Sequence, residues 1–197
     1  MHEQRLALLR RELSSRPAAR IERTAGAREA GVALIVRACA DLEILLVKRA
    51  ERESDPWSGH MALPGGLRSP IDADLIATAL REAQEEVGIP LARIGVVLGP
   101  LDDVAPRTRR LPRIVIEPTA VAVPPGTTAT PDLREIDAAL WVPLAELRDE
   151  RAVSEILIEL QDGTRVFPSL RYGDHVIWGL THSILVGFLD VVGRAGL

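Results

Sequence analysis

Three glutamates near the middle of the chain have a spacing that suits a shared chemical site. Glu85 and Glu86 follow Glu82 by three and four residues, so on a helix they project from neighbouring positions. Each pair of like charges at this spacing costs about 0.2–0.5 kcal/mol, and the last turn of a helix also disfavours negative charge. A divalent cation held by oxygen ligands would offset both penalties. A solvated acidic helix face is the alternative, since most runs of charge are of that kind.

The residues around these glutamates predict the element that carries them. Gly65 and Gly66 form a turn, a helix begins near Asp72 and Asp74, and Gly88 ends it. We expect the two aspartates to cap the helix. Apolar residues at helical spacing predict one buried stripe on the side opposite the glutamates, formed by Ile76, Leu80, Ala83 and Val87.

The segment from Gly66 through Ile89 resembles the signature of the Nudix hydrolases. That signature is a glycine, a spacer, an acid and a second spacer, followed by Arg-Glu-apolar-x-Glu-Glu-x-Gly-apolar, which begins here at Arg81. The sequence departs from it in one respect, because Asp72 or Asp74 stands for the usual glutamate and one extra residue precedes Arg81. The resemblance implies an α+β fold: a Nudix-type α/β/α sandwich with a mixed central sheet, a catalytic helix after the Gly-Gly turn and a C-terminal helix.

Two further stretches resemble the coenzyme A pyrophosphatase branch of that family. They are the end of a predicted strand, residues 45–50, and the apolar-Pro-Gly-Gly turn of residues 63–66. The fit has departures, because Val47 stands where Thr is usual, the loop to Gly59 is one residue longer, and Ser54 stands where an arginine is expected. This resemblance implies hydrolysis of coenzyme A or an acyl derivative to 3′,5′-ADP and 4′-phosphopantetheine.

The resemblance also implies a metal-dependent mechanism with Mg²⁺ or Mn²⁺ as cofactor. Such an ion bridges phosphate oxygens, neutralises developing charge and lowers the pKa of an attacking water. We expect Glu82 and Glu86 to bind the metal directly, with Glu85 as a further ligand or as the base that activates the water. By the resemblance, the carbonyl of Gly66 also coordinates. Arg81 completes the catalytic set, since it lies four residues before Glu85 and can hold that carboxylate in place.

Substrate binding is assigned to arginines and to the glycine turn, where Gly65 would approach the phosphates. Arg49 ends a predicted strand and either faces a phosphate or ends the strand in water. In the nearby loop, His60 either carries a proton or orients the loop through hydrogen bonds. A Pro-punctuated basic cluster is either a phosphate clamp or a solvated loop, and it comprises Arg107, Arg109, Arg110 and Arg113.

The remaining sequence predicts strands on both sides of the helix. Residues 31–37 and 42–49 are almost continuously apolar, which predicts a hairpin covered on both faces. We expect a strand at 94–101 and a strand pair at 114–123, broken or bulged at Pro118.

The two ends of the chain each predict a helix. Residues 6–13 form a short amphipathic helix that packs either on the domain or on a second copy of the chain. Residues 156–160 and 164–167 predict a hairpin, followed by a closing helix that includes Ile177. We divide the chain into an N-terminal helix and connector (1–28), a single Nudix domain (29–192) and a tail (193–197).

Composition narrows the class of partner. The 197 residues carry a net charge of −4, so no basic field favours nucleic acid, and no apolar run is long enough to span a membrane. The single Cys39 excludes an internal disulfide framework and suits a reducing compartment. We therefore expect a cytoplasmic protein with a small nucleotide substrate and, as a further possibility, a homodimer.

Two alternatives to coenzyme A hydrolysis stay open from the sequence. The same fold and glutamates would serve a hydrolase of ADP-ribose, dinucleotides or oxidised nucleoside triphosphates. A catalytically silent Nudix module that binds a ligand is the alternative of another class, and the intact set of Glu82, Glu85 and Glu86 argues against it.

Overall fold

The computed structural model describes residues 2–52, 57–106, 113–160 and 163–197. A mixed sheet forms its centre, with strand order β3-β2-β1-β6-β5, while β4 pairs with β1 and β7 pairs with β2. Within it, β1 and β6 run parallel and the other pairs run antiparallel. The strands are β1 (Arg28–Ala38), β2 (Leu42–Arg49), β3 (Met61–Ala62), β4 (Gly65–Leu67), β5 (Val96–Pro100), β6 (Ile114–Val123) and β7 (Ile136–Pro143).

A smaller antiparallel sheet follows in the chain, with strand order β10-β9-β8. Its strands are β8 (Val153–Leu160), β9 (Gly163–Tyr172) and β10 (His175–Trp178). The helices are α1 (His2–Ser14), α2 (Leu75–Val87), α3 (Leu91–Ile94), α4 (Leu144–Arg148) and α5 (Gly179–Arg194), with a 3₁₀ turn at Glu150–Ala152. Among the residues described, no helix is long and apolar enough to cross a membrane.

Both faces of the central sheet are covered, as the apolar hairpin predicts. Side chains alternate along a strand, so Leu34 and Leu46 join one core cluster whereas Ile35 and Leu45 join the other. Helices α1, α4 and α5 cover the first face, and α2 and α3 cover the second. The predicted hairpin and the mixed sheet with helices on both sides are confirmed.

The N-terminal helix packs on its own chain. Leu9 is fully buried and Leu13 nearly so, and both belong to the core cluster that α5 also covers. The Arg194 side chain of α5 donates to Glu12 of α1 at 2.7 Å. Of the two alternatives that the sequence leaves open, packing on the domain is the one observed.

Three predicted boundaries are wrong in detail. Strand β6 continues through Pro118, because the carbonyl of Pro118 faces Leu101 and its missing N–H faces the same side, beyond the end of β5. The strand expected from residue 94 begins only at Val96, since Leu91–Ile94 forms a helical turn. Ile177 belongs to β10, and the closing helix begins two residues later at Gly179.

Candidate active site

Helix α2 begins and ends at the residues that the sequence marks. Asp74 accepts a hydrogen bond from the Ala77 backbone N–H at 2.7 Å, which satisfies one free donor of the first turn. At the other end, Gly88 adopts a φ of 67° and its N–H donates to the carbonyl of Gln84. This left-handed conformation favours glycine. The capping role of Asp74 and the stop at Gly88 are confirmed.

Asp72 does not cap the helix. Its carboxylate accepts two hydrogen bonds from Arg81, at 3.0 Å from Nε and 2.9 Å from Nη2. It also accepts from the Ser69 N–H at 2.8 Å and from the Thr78 hydroxyl at 2.9 Å. These donors, Arg81 first among them, hold the pKa of Asp72 well below its usual range. The expected cap is wrong for Asp72, because its donors come from within the site.

Arg81 joins the helix carboxylates to Asp72. Its Nη1 donates to Glu82 and to Glu85, each at 2.8 Å. Its Nη2 also donates to the carbonyl of Leu67, at 3.3 Å, just after the glycine turn. The Glu85 side chain is 58% exposed and that of Glu82 is 17% exposed. The predicted contact between Arg81 and Glu85 is present, and Arg81 fixes Glu82 as well.

Glu86 occupies the buried side of α2, contrary to expectation. It is 4% exposed and lies on the same face as Ala79 and Ala83. Its Oε2 accepts the Gly65 backbone N–H at 3.0 Å. Burial raises the pKa of Glu86 to about 7, opposed by the Gly65 hydrogen bond and by the charge of Arg49. Placing all three glutamates opposite the apolar stripe was therefore wrong, since α2 turns one of them toward the glycine turn.

The glycine turn brings α2 and the sheet into close approach. Gly66 lies opposite Gly31 in the β1–β4 register. A Cβ on Gly66 would stand 2.5 Å from the carboxyl carbon of Glu82, and a Cβ on Gly31 would stand 2.0 Å from the Leu75 carbonyl oxygen. Position 31 therefore requires glycine, because the contact is with helix backbone, and Gly66 leaves room for the Glu82 carboxylate beside its own backbone.

The arrangement of Glu82 and Glu86 fits a divalent cation. Both carboxylates converge on Gly65–Gly66, and burial raises the pKa of Glu82 as it does that of Glu86. A buried carboxylate that is costly to ionise is stabilised by a cation bound to oxygen ligands. Within the described ranges, no three acidic, His or Cys side chains lie close enough to form a metal site by themselves. Mg²⁺ commonly keeps several waters and uses one or two carboxylates, so a two-glutamate site is sufficient.

The predicted substrate-binding residues lie in different surroundings. Arg49 is half-buried at the end of β2, and its positive charge acts on Glu86. Arg113 is exposed just before β6, and its carbonyl accepts the Arg28 N–H at 2.8 Å. Gly65 directs its N–H to Glu86. Arg107, Arg109 and Arg110 lie outside the described residues.

His60 lies at the border between the site and the small sheet. Its ring centroid is 4.9 Å from that of Trp178, which in turn lies 5.6 Å from Phe167. Its carbonyl accepts the Arg49 N–H at 3.0 Å. Of the two roles considered for His60, proton transfer and orientation of the loop, these contacts support orientation of the loop.

Two residues near the site were not assigned a role from the sequence. Thr78 is fully buried and donates to Asp72, although it lies opposite the predicted apolar stripe, so its only signal was its place one turn before Glu82 on the same side of the helix. Arg68 donates to the Ala73 carbonyl at 3.0 Å, in the loop that leads to α2. A lone arginine in a loop carries no comparable signal, so only the fold shows its position.

The fold and site together define a mixed α+β sandwich whose glycine turn faces an acidic helix. Residues 27–161 match the NUDIX domain family. A Photorhabdus laumondii protein described as an uncharacterized Nudix hydrolase NudL is 31% identical over 149 residues, covering 75% of this chain and 76% of its own length. An uncharacterized Schizosaccharomyces pombe protein is 38% identical over 107 residues, which is 53% of this chain and 32% of that protein.

A solved structure shares the fold. The crystal structure of a C. elegans Ap4A hydrolase binary complex superposes with a TM-score of 0.54 and 18% identity, covering 86% of this chain and 99% of that one. The chain therefore belongs to the Nudix family of hydrolases. The fold class that the motif implied is confirmed.

Proposed function

We propose that this chain is a metal-dependent hydrolase of nucleoside diphosphate derivatives, and that its substrate is coenzyme A or acyl-CoA. The observation that supports the reaction is the convergence of Glu82 and Glu86 on the Gly65–Gly66 turn. The choice of coenzyme A rests on the strand end at residues 45–50 and the turn at residues 63–66. The products would be 3′,5′-ADP and 4′-phosphopantetheine.

The residues of the site have separate proposed roles in metal binding, positioning and activation of water. Mg²⁺ or Mn²⁺, when bound, would supply charge neutralisation at the diphosphate and a water of lowered pKa. Glu82, Glu86 and the carbonyl of Gly66 would hold it, with Glu86 bound as the carboxylate and its proton released to solvent. Arg81 keeps Glu82 and Glu85 in place, while the more exposed Glu85 serves as a further ligand or as the base.

Arginines are the side chains predicted to bind the substrate. Arg49, whose charge acts on Glu86, would offset the charge of the diphosphate. Arg107, Arg109, Arg110 and Arg113 remain the predicted clamp for substrate phosphates. Glu135 offers a second candidate base, because its carbonyl accepts the Ala50 N–H at 2.8 Å beside the end of β2, and its charge raises the pKa of both Glu82 and Glu86.

Turnover of a substrate panel tests the proposal. Coenzyme A, dephospho-coenzyme A, ADP-ribose, NADH and a deoxynucleoside triphosphate are each assayed with Mg²⁺ and with Mn²⁺. We expect coenzyme A or an acyl derivative to give the highest kcat/KM and no turnover with a chelator present. A preference for ADP-ribose or a dinucleotide would keep the family and reject the substrate. Lack of any turnover would favour a silent binding module.

A substitution at Glu82 tests its proposed role as a metal ligand. Glu82→Gln keeps the shape of the side chain and removes its charge, so we expect kcat to fall by about 100-fold or more at saturating metal. Glu146→Gln, an exposed change on α4, is the matched control and should retain wild-type turnover. Wild-type turnover by Glu82→Gln would reject Glu82 as a ligand.

A further inference from the structure

An open pocket of about 470 Å³ lies beside the glycine turn. Its walls come from the start of β1 and from the loop between β4 and α2, including Arg28, Glu29, Arg68, Ser69 and Asp72. Since Arg68 follows Gly66 by two residues, the pocket adjoins the proposed diphosphate site and is separate from it. The reaction proposed above assigns no role to this pocket.

The pocket wall carries charges of both signs. Glu29 is paired outside the pocket with Arg23, at 3.3 Å, and Asp72 is paired with Arg81, at 2.9 Å. Arg23 is shared with Asp103 and Glu117, and Arg81 with Glu82 and Glu85, so these arginines do not leave the wall with a net positive charge. The cation of the wall that no described carboxylate pairs with is Arg28.

The two arginines differ in how firmly they are held. Arg68 is fixed by the Ala73 carbonyl at 3.0 Å and by Glu29 at 3.4 Å. Its side chain is nonetheless 40% exposed, so it can reach a ligand in the pocket. Arg28 is exposed, and it forms no ion pair with any other residue that the structure describes. The Arg68 guanidinium is held in place and the Arg28 guanidinium has no ion pair among the described residues, and two such groups side by side suit a compact anion with several oxygens.

We propose that this pocket binds a phosphate monoester of the substrate, distinct from the diphosphate that is cleaved, with Arg28 and Arg68 as its ligands. Guanidinium groups pair bidentately with phosphate oxygens, and the pocket lies next to the turn where the diphosphate would bind. The inference rests on the proposed function, because the 3′-phosphate of coenzyme A is such a group. It assigns the recognition of that phosphate to described residues outside the predicted clamp.

Equilibrium binding tests the pocket without catalysis. Binding of 3′,5′-ADP and of 5′-AMP is measured by calorimetry for wild type, Arg28→Gln, Arg68→Gln and the control Arg93→Gln, an exposed arginine on α3. We expect wild type to bind 3′,5′-ADP more tightly than 5′-AMP. Arg28→Gln and Arg68→Gln should each reduce that preference about tenfold, and Arg93→Gln should keep it. In turnover assays, the ratio of kcat/KM for coenzyme A over dephospho-coenzyme A should fall with Arg28→Gln by the same factor.

Other outcomes overturn the inference in distinguishable ways. If the preference for 3′,5′-ADP survives both substitutions, the pocket is not the phosphate site, while the proposed function stands. If wild type shows no such preference but binds inorganic phosphate through Arg28, the pocket serves a free anion and the substrate assignment is wrong. If coenzyme A is not hydrolysed, the proposed function fails, and the calorimetric comparison still decides the pocket.

Discussion

Glu86 combines a buried carboxylate with the proposed metal site. Its pKa is raised from 4.5 to about 7. Between these two pH values the folded, metal-free protein therefore binds a proton that the unfolded chain has lost. The stability of that protein should therefore fall as pH rises from about 4.5 to about 7, by at most roughly 3 kcal/mol from this group. Above pH 7 the contribution should be constant.

Glu86→Gln isolates that contribution, because every other titrating group is shared with wild type. We expect the Tm of metal-free Glu86→Gln minus that of metal-free wild type to increase from pH 5 to pH 8. Saturating Mg²⁺ or Mn²⁺ should reverse the order at pH 8, since only the glutamate binds the ion. A constant difference in Tm across the pH range would show that burial does not raise the pKa of Glu86.

Residue-scale prediction succeeded where a contact is local. The contact of Arg81 with Glu85 follows from their spacing alone, and the structure contains it. The burial of Glu86 depends on which way α2 is rotated, and the neighbouring glycines have no side chains to exclude a carboxylate. Asp72 was misassigned for a related reason, since it precedes α2 and its partners Thr78 and Arg81 lie six and nine residues further along the chain.

At the scale of elements, the contact between α2 and β1 depends on Gly31. A Cβ there would overlap a backbone carbonyl, at 2.0 Å from the Leu75 oxygen, and a helix backbone cannot move aside as a side chain can. We expect Gly31→Ala to lower the free energy of unfolding by about 3 kcal/mol, measured by urea denaturation. Gly126→Ala is the matched control, because nothing lies within 4 Å of its added Cβ, and it should change stability by less than about 0.5 kcal/mol. Equal stability of the two variants would mean that α2 does not rest on β1 at this point.

Elements were predictable where a capping residue or a hairpin turn marks them. Asp74 and Gly88 define α2, and the apolar runs at 31–37 and 42–49 define β1 and β2. Pro118 was misjudged, because a proline interrupts a strand only on the side where its N–H would be needed, and that side depends on strand order.

For the whole molecule, Asp103 ties the N-terminal connector to the domain. Its fully buried side chain is paired with Arg20, at 2.7 Å, and with Arg23, and it accepts the Ile21 N–H at 3.0 Å. Asp103→Asn should lower the free energy of unfolding by about 2 kcal/mol, because it removes the nearest countercharge of two partly buried arginines, whose shared partner Glu117 lies farther away, at 3.6 Å from Arg20 and 3.3 Å from Arg23.

The neighbouring Asp102 provides the control for that prediction. It is paired with Arg16 at 2.7 Å, but its side chain is 46% exposed, so Asp102→Asn should cost less than about 1 kcal/mol. Urea denaturation with an unchanged m value compares the two variants. A smaller loss for Asp103→Asn than for Asp102→Asn would contradict the anchoring role of Asp103.

The global arrangement was only partly readable from the sequence. A mixed sheet with helices on both faces followed from the motif and from the apolar strands. The connector showed no periodicity, and its contacts with Asp102 and Asp103 join residues far apart in the chain, which no local pattern reveals. Packing of α1 on the domain was undetermined for the same reason.

The parallel pairing of β1 with β6 has a consequence for how the protein reaches its native state. β1 meets β2 and β4 early in the chain, whereas its longest pairing joins Arg28 to Ile114 and Arg37 to Val123. Contacts of such high sequence separation form slowly, because a long loop must close before they yield any energy. During synthesis on a ribosome, the edge of β1 that pairs with β6 therefore stays unpaired while α2 and β5 are made. The strand that carries the glycine turn is stabilised by the complete sheet only after β6 has emerged.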